Sequence, residues 1–318
     1  MKFCVRRLPS RSLANPMRSR FLVLPLAALI SAACQQTPSV ARTHGSDSAS
    51  SKVSDDRRAY DERGRAALEA EQFAEAQRNY EQSLAISQEL SKQNPGSAKA
   101  VRELAISYGR LGEVAARAGQ LAEAKRRYEQ GLAIIEELTL PGPAPSDEAF
   151  LSNPAYLQLE QTYVALGIVA VMASEPVEAK RRFEQGLAID EKLLTLTTNP
   201  ELLDRAGELC DQLGLLALAA RQSADARRLY QRALAIDEIL TDKNPTSAKY
   251  EFRAAEHHYA LGFVLGDAEH KLRAEAILAH LGTGDTLPPH LRPRFNQLKQ
   301  GMAESRASEL SHAGADAR

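Results

Sequence analysis

The chain has 318 residues, room for two ordinary domains or one elongated one, and its 40 Lys+Arg against 41 Asp+Glu argue against a protein that coats nucleic acid. Hydrophobic residues at 44% supply a substantial core, while 5% aromatics, no Trp and abundant Ala, Leu, Glu, Arg and Gln favour helix over sheet. Three cysteines, Cys4, Cys34 and Cys210, make neither a disulfide framework nor a metal-ligand spacing.

The first segment reads as an address. Residues 1–20 carry Lys2, Arg6, Arg7, Arg11, Arg18 and Arg20 and no acid, and Phe21 to Ala33 is an apolar run of 13 residues. A membrane-spanning helix needs about 20 residues to cross ~30 Å of hydrocarbon, so the run fits a cleaved secretory signal over residues 1–33. Ser31-Ala32-Ala33-Cys34 resembles the bacterial lipobox, with Ser31 where Leu is commonest. The resemblance implies lipidation of Cys34 and attachment to a membrane of the bacterial cell envelope. Gln35 in place of Asp implies the outer membrane, facing the periplasm. Plain signal-peptidase cleavage, with Cys34 left as a free thiol, is the alternative, and Met17 is an alternative start. Cleavage removes six basic residues and leaves an acidic mature chain at −7. Residues 34–55 are rich in Ser, Thr and Ala, too poor in large apolar groups to offset their ordering entropy, and are expected to form a disordered tether.

Residues 56–282 contain an internal repeat. Tyr80-Glu81-Gln82-Ser83-Leu84-Ala85-Ile86 returns as Tyr128-Glu129-Gln130-Gly131-Leu132-Ala133-Ile134, then from Phe183 and again from Tyr230. Gly64, Gly112, Gly167 and Gly214 each stand sixteen residues before the aromatic, and Ala76, Ala124, Ala179 and Ala226 stand twelve after the glycine. A fifth copy keeps Gly262 and Ala274 but has Leu278 in place of the aromatic; the glycine steps are 48, 55, 47 and 48. These residues resemble the tetratricopeptide repeat (TPR) in a long-helix variant. The resemblance implies an all-α solenoid of about five helical hairpins, with the glycine mid-way along helix A and the alanine and aromatic on helix B. A mid-helix Gly costs ~1 kcal/mol relative to Ala, so five in register signal a packing requirement. Asn94-Pro95, Asn153-Pro154, Asn199-Pro200 and Asn244-Pro245 are read as hairpin junctions, with Asn as N-cap and Pro at the first helical position. Residues 283–318 supply a capping helix near Leu291–Ser308 and a frayed tail.

No Gly-rich phosphate loop, Gly-x-Ser-x-Gly elbow or His-Glu-x-x-His is present, so no catalytic residue, cofactor or metal site is assigned. In Glu256-His257-His258, adjacent histidines on a helix point about 100° apart and do not chelate together, and His258 stands in the register of Tyr108 and Tyr163. Cys210 shares that register and reads as a buried thiol. Lys125-Arg126-Arg127, Lys180-Arg181-Arg182 and Arg227-Arg228 read as a solvated outer face. Asp190-Glu191 and Asp237-Glu238 read as surface charges.

Within the resembled family, partners bind a concave face lined by helix A. The residues after the glycines are Arg65, Glu113, Ile168, Leu215 and Phe263, so the Asn of the family's carboxylate clamp is missing. Val164, Ile168, Val171, Met172, Leu215, Leu218, Tyr259 and Phe263 form the candidate partner-binding strip, suited to a peptide or helix; burial of the same strip as core is the competing reading. The functional expectation is a non-enzymatic protein–protein interaction scaffold, a membrane-tethered repeat lipoprotein that binds a protein or peptide and no nucleic acid. The alternatives are a soluble adaptor or regulator without an anchor, or an accessory subunit of an envelope enzyme or of a secretion or pilus assembly.

Overall fold

The computed structural model describes residues 48–139 and 145–316. Cys34, residues 1–33 and the Pro141-Gly142-Pro143-Ala144 stretch lie outside them. Within the described residues twelve α-helices follow in order: α1 (Ser48–Glu69), α2 (Phe73–Gln93), α3 (Ala98–Arg117), α4 (Leu121–Thr139), the short α5 (Asp147–Ser152), α6 (Ala155–Met172), α7 (Pro176–Leu196), α8 (Pro200–Ala219), α9 (Ser223–Lys243), α10 (Ala248–Tyr259), α11 (Ala268–His280) and α12 (Arg292–Asp316). Among the described residues there is no strand. Five hairpins, α1–α2, α3–α4, α6–α7, α8–α9 and α10–α11, stack so that each second helix also packs on the first helix of the next hairpin. This is the TPR-like helical-repeat solenoid expected from the register. Two boundaries move: α1 begins at Ser48, inside the stretch assigned to the tether, and α12 continues to Asp316, through the expected frayed tail.

The first four hairpins close in the same way. A Cβ built on Gly64 would lie 2.6 Å from the Tyr80 ring, on Gly112 3.0 Å from Tyr128, on Gly167 2.5 Å from Phe183 and on Gly214 3.0 Å from Tyr230. The glycine therefore makes room for the aromatic face itself, which is buried in every case. Burying a large side chain contributes about 1.5–3 kcal/mol, which outweighs the ~1 kcal/mol propensity loss of the glycine. Ala76, Ala124, Ala179, Ala226 and Ala274 are all fully buried. The fifth hairpin, without the aromatic, closes tighter still: a Cβ on Gly262 would meet the Lys271 backbone nitrogen at 2.4 Å. There α10 ends in a π turn over Ala260–Val264, where Leu265 N donates to Ala260 O.

The turns inside the first four hairpins share one capping motif. Gln72 N donates to Ala67 O and Glu71 N to Leu68 O, with Glu71 at φ 56, and the same pair of bonds recurs at Gly119–Gln120, Ser174–Glu175 and Arg221–Gln222. This left-handed C-terminal cap favours glycine, yet only Gly119 of the four is one. The expected Asn-Pro junctions split. Asn199 and Asn153 accept from Glu201 N and Ala155 N at helix starts, whereas Asn94 and Asn244 end α2 and α9, donating to Leu90 O and Leu240 O. Pro95 and Gly96 separate Asn94 from Ser97, so Ser97 caps α3 instead, accepting from Ala100 N.

At the C-terminal end, Leu287, Leu291, Phe295, Leu298 and Met302 cover Phe252, Tyr259 and Leu278 of the fifth hairpin. The Phe252 and Phe295 rings meet edge to face at 5.8 Å, and Arg294 forks onto both oxygens of Glu256 at 3.0 and 2.8 Å. The cap covers the apolar end of the last repeat, as a terminal solenoid element must.

Candidate interaction face

The first helices of the hairpins stand side by side, and charged side chains tie α1 to α3, α6 to α8 and α8 to α10. Arg57 of α1 pairs with Glu103 of α3 at 3.1 Å, Arg205 of α8 with Glu160 of α6 at 3.6 Å, and Lys249 of α10 with Asp204 of α8 at 2.6 Å. With the packing of α3 on α6, these contacts line the first helices up along one face of the stack. Its sequence candidates divide. Ile168 and Tyr259, at 1% and 3% exposure, are core residues, which corrects their assignment to a partner-binding strip. The reason is position: α6 is apolar all round because α3, α4 and α7 surround it. By length and composition alone α6 could cross a membrane, but 67% of it is buried within the protein. Val164, Val171 and Met172 pack half-buried against the same core, and Leu218 against the core of the fourth hairpin. Leu215 is half-buried, and the side chain of Phe263 lies outside the described residues.

A partly exposed stripe of α8 is acidic. Asp204, Glu208, Asp211 and Leu215 follow one another at spacings of four, three and four, a single helical face. Glu208 is the most open of the acids, with a side chain 38% exposed. Behind the stripe lies a buried ionic cluster that the sequence reading missed. Arg253 of α10 reaches Asp204, lies 3.0 Å from Asp237 of α9 and 3.7 Å from Glu208. His257 is clamped between Asp237 at 2.8 Å on Nδ1 and Asp211 at 3.5 Å on Nε2. Burial alone would lower the imidazole, but the two carboxylates outweigh it and raise His257 to about 9, so it is an imidazolium at neutral pH. Asp211 is lowered correspondingly; burial opposes this, and His257 prevails.

Asp190 and Asp237 are fully buried and so are not the surface charges that their Asp-Glu context suggests. Each stands seven residues after its hairpin's aromatic, two helical turns along the buried stripe, where Ile135 stands in the second hairpin. That register was the signal available in the sequence. Gly207 belongs to the same arrangement, since a Cβ there would lie 2.7 Å from the Arg253 guanidinium.

The remaining candidates behave as packing or surface groups. Cys210 is buried, which raises its thiol to about 11 and removes nucleophilic character. His258 faces His270 with the two Nδ1 atoms 2.7 Å apart, and burial and His270 hold it near 4, neutral. Among the described residues no group of three or more His, Cys, Asp or Glu is placed to hold a metal ion. On the outer face Arg126 and Arg181 chelate Glu123 and Glu178 one turn away, while Lys125 reaches Glu175 of the third hairpin at 3.1 Å and Arg227 reaches Asp267 of the fifth at 3.4 Å. Part of this outer charge therefore ties neighbouring hairpins together.

No family's sequence profile matches the chain, and no curated protein matches it by sequence. Solved structures do. The apo form of RapI superposes with a TM-score of 0.50 at 10% identity, over 82% of this chain and 89% of that one. BtubC (BKLC) from P. vanneervenii gives 0.45 at 16% identity over 74% and 93%, and TTC0263, a thermophilic TPR protein of Thermus thermophilus, gives 0.35 at 17% over 76% and 99%. The likeness to RapI is one of fold, and it agrees with the register: an all-α stack of TPR-like hairpins.

Proposed function

We propose that this protein is a non-enzymatic protein–protein interaction scaffold, a repeat lipoprotein held at a bacterial envelope membrane through Cys34 and facing the periplasm. The observation that carries the scaffold reading is the face made by the first helices, where Glu208 stands open beside the half-buried Asp204, Asp211 and Leu215 over a buried ionic cluster. A stack whose hairpins contact only their neighbours offers an extended surface, and partner recognition is the chemistry such a surface performs best. The anchor rests on the basic segment, the 13-residue apolar run and the lipobox-like residues at 31–34. Two or more acyl chains there hold the protein stably, because each buried CH₂ contributes ~0.8 kcal/mol.

Two measurements test this reading. Alkyne-palmitate labelling in a bacterial host should mark the wild type and not Cys34→Ala; label surviving in the variant contradicts the anchor. A photo-crosslinker at Glu208 should capture protein adducts that one at the exposed Val177 does not. The same adducts from both positions would contradict a specific inner face.

A further inference from the structure

Corresponding positions at the four hairpin junctions carry different groups. Seven residues before each glycine on the first helix stand Arg57, Ala105, Glu160 and Gly207; opposite them, nine before the next glycine, stand Glu103, Gln158, Arg205 and Arg253. The second helix contributes Ser87, Ile135, Asp190 and Asp237. At the first junction Arg57 also faces two carboxylates, Asp61 and Glu103, but Arg110 joins Asp61 as a second cation; among the described residues the pair at the third–fourth junction, Glu160 and Asp190, shares Arg205 alone. Glu160 and Asp190 are 2% and 0% exposed, and Arg205 lies 3.6 Å from the first and 3.3 Å from the second. Asp237, its counterpart at the next junction, has both Arg253 and His257 as cations, and Gly207 stands where Glu160 would.

With both carboxyls ionised, the site would hold a net negative charge away from water, which a protein interior resists strongly. The neighbouring groups do not relieve it. From α8 the next charged group is Glu208, another acid, which itself raises Glu160. On the side of the second hairpin, the matching positions are the uncharged Ala105 and Ile135. One bound proton makes the site neutral.

We propose that the junction between the third and fourth hairpins is a proton-binding site: Glu160 and Asp190 hold one proton between them beside Arg205, and its loss to solvent loosens the packing of α7 on α8. Burial raises both carboxyls, ionised Asp190 raises Glu160 further, and Arg205 pulls both back. The folded chain therefore binds this proton more tightly than the unfolded chain. The stability it supplies is complete at acid pH, below the ordinary carboxyl range, and is lost as pH rises through the folded-state titration. Alkaline pH thus softens the middle of the stack and, with it, the geometry of the face on either side.

The test is made on the full chain as wild type, Glu160→Gln and Asp190→Asn. Each variant leaves one carboxylate on one guanidinium, a neutral set that supports folding. Infrared titration should show, near neutral pH, a protonated-carboxyl C=O band in the wild type that is lost in Glu160→Gln. The unfolding equilibrium constants of wild type and variants should diverge as pH rises, by up to about tenfold per unit through the carboxyl's titration, in favour of the variants. A band unchanged in Glu160→Gln overturns the proposal. So does a stability difference that is the same in acid and alkali for both variants, because that is what a purely structural role would give.

Discussion

Seven residues past the aromatic of the second helix, the first two junctions of the stack and the last two use one geometry with opposite chemistry. The first junction also carries Arg57 with Asp61, Glu103 and Arg110 between its first helices. Between the first and second hairpins the Ser87 and Ser107 hydroxyls meet at 2.8 Å, and between the second and third the fully buried Ile135 fills the space. At the next two junctions Asp190 and Asp237 occupy that place and draw in Arg205, Arg253 and His257. The hairpins themselves hardly change across this divide, since the glycine under the aromatic ring recurs from Gly64 to Gly214. Closure of a hairpin and attachment to its neighbour are thus separate requirements carried by separate positions. The first is fixed by shape; the second is open to apolar, neutral or ionic solutions. A buried ionic solution adds directionality and sensitivity to pH more than it adds stability.

The largest contrast between the halves should come from removing one partner. Arg253→Met leaves Asp237 and Asp204 without their guanidinium and should destabilise by about 3–5 kcal/mol in urea unfolding, whereas Ser87→Ala should cost about 1 kcal/mol or less, because Ser107 still donates to Glu103 O. The pH dependence comes next. His257 is raised from 6.5 to about 9, so its contribution is complete below about pH 6.5 and disappears as pH rises to about 9. At ~1.4 kcal/mol per unit this is about 3 kcal/mol at most, and His257→Gln should flatten that part of the stability profile. Gly167→Ala forces a methyl against Phe183 and should cost about 1–3 kcal/mol, with Gly112→Ala milder because its clearance is 3.0 Å and not 2.5 Å. The smallest effect should show no difference between halves. Ser174→Gly and Glu71→Gly each relieve a left-handed residue and should each raise stability by up to ~1 kcal/mol in thermal unfolding.

The hairpins were legible in the sequence because glycine, alanine and aromatic recur with a fixed offset, and shape requirements of that kind leave residue-type signatures. The ionic junctions were not. Asp190 and Asp237 each sit beside a glutamate in a charged stretch, and composition places such pairs in water; only their distance from Phe183 and Tyr230 puts them inside. Ile168, in the apolar strip, is core for the converse reason. Val164 to Met172 looked like a surplus of apolar surface, but α6 has neighbours on several sides, so Ile168 is core. Asn94 and Asn244 were misplaced because Asn serves either end of a helix, and the two residues before Ser97 and Ser247 decide which.

The two halves can be separated in one experiment on the intact chain: hydrogen exchange read by mass spectrometry as pH is raised from about 6.5 to about 9, corrected for intrinsic exchange. Ionic junctions predict that protection of α7, α8, α9 and α10 falls steeply over that range while α2, α3 and α4 hold theirs. Equal loss in both halves, or none in either, would contradict the division between junctions with and without a buried aspartate on the second helix.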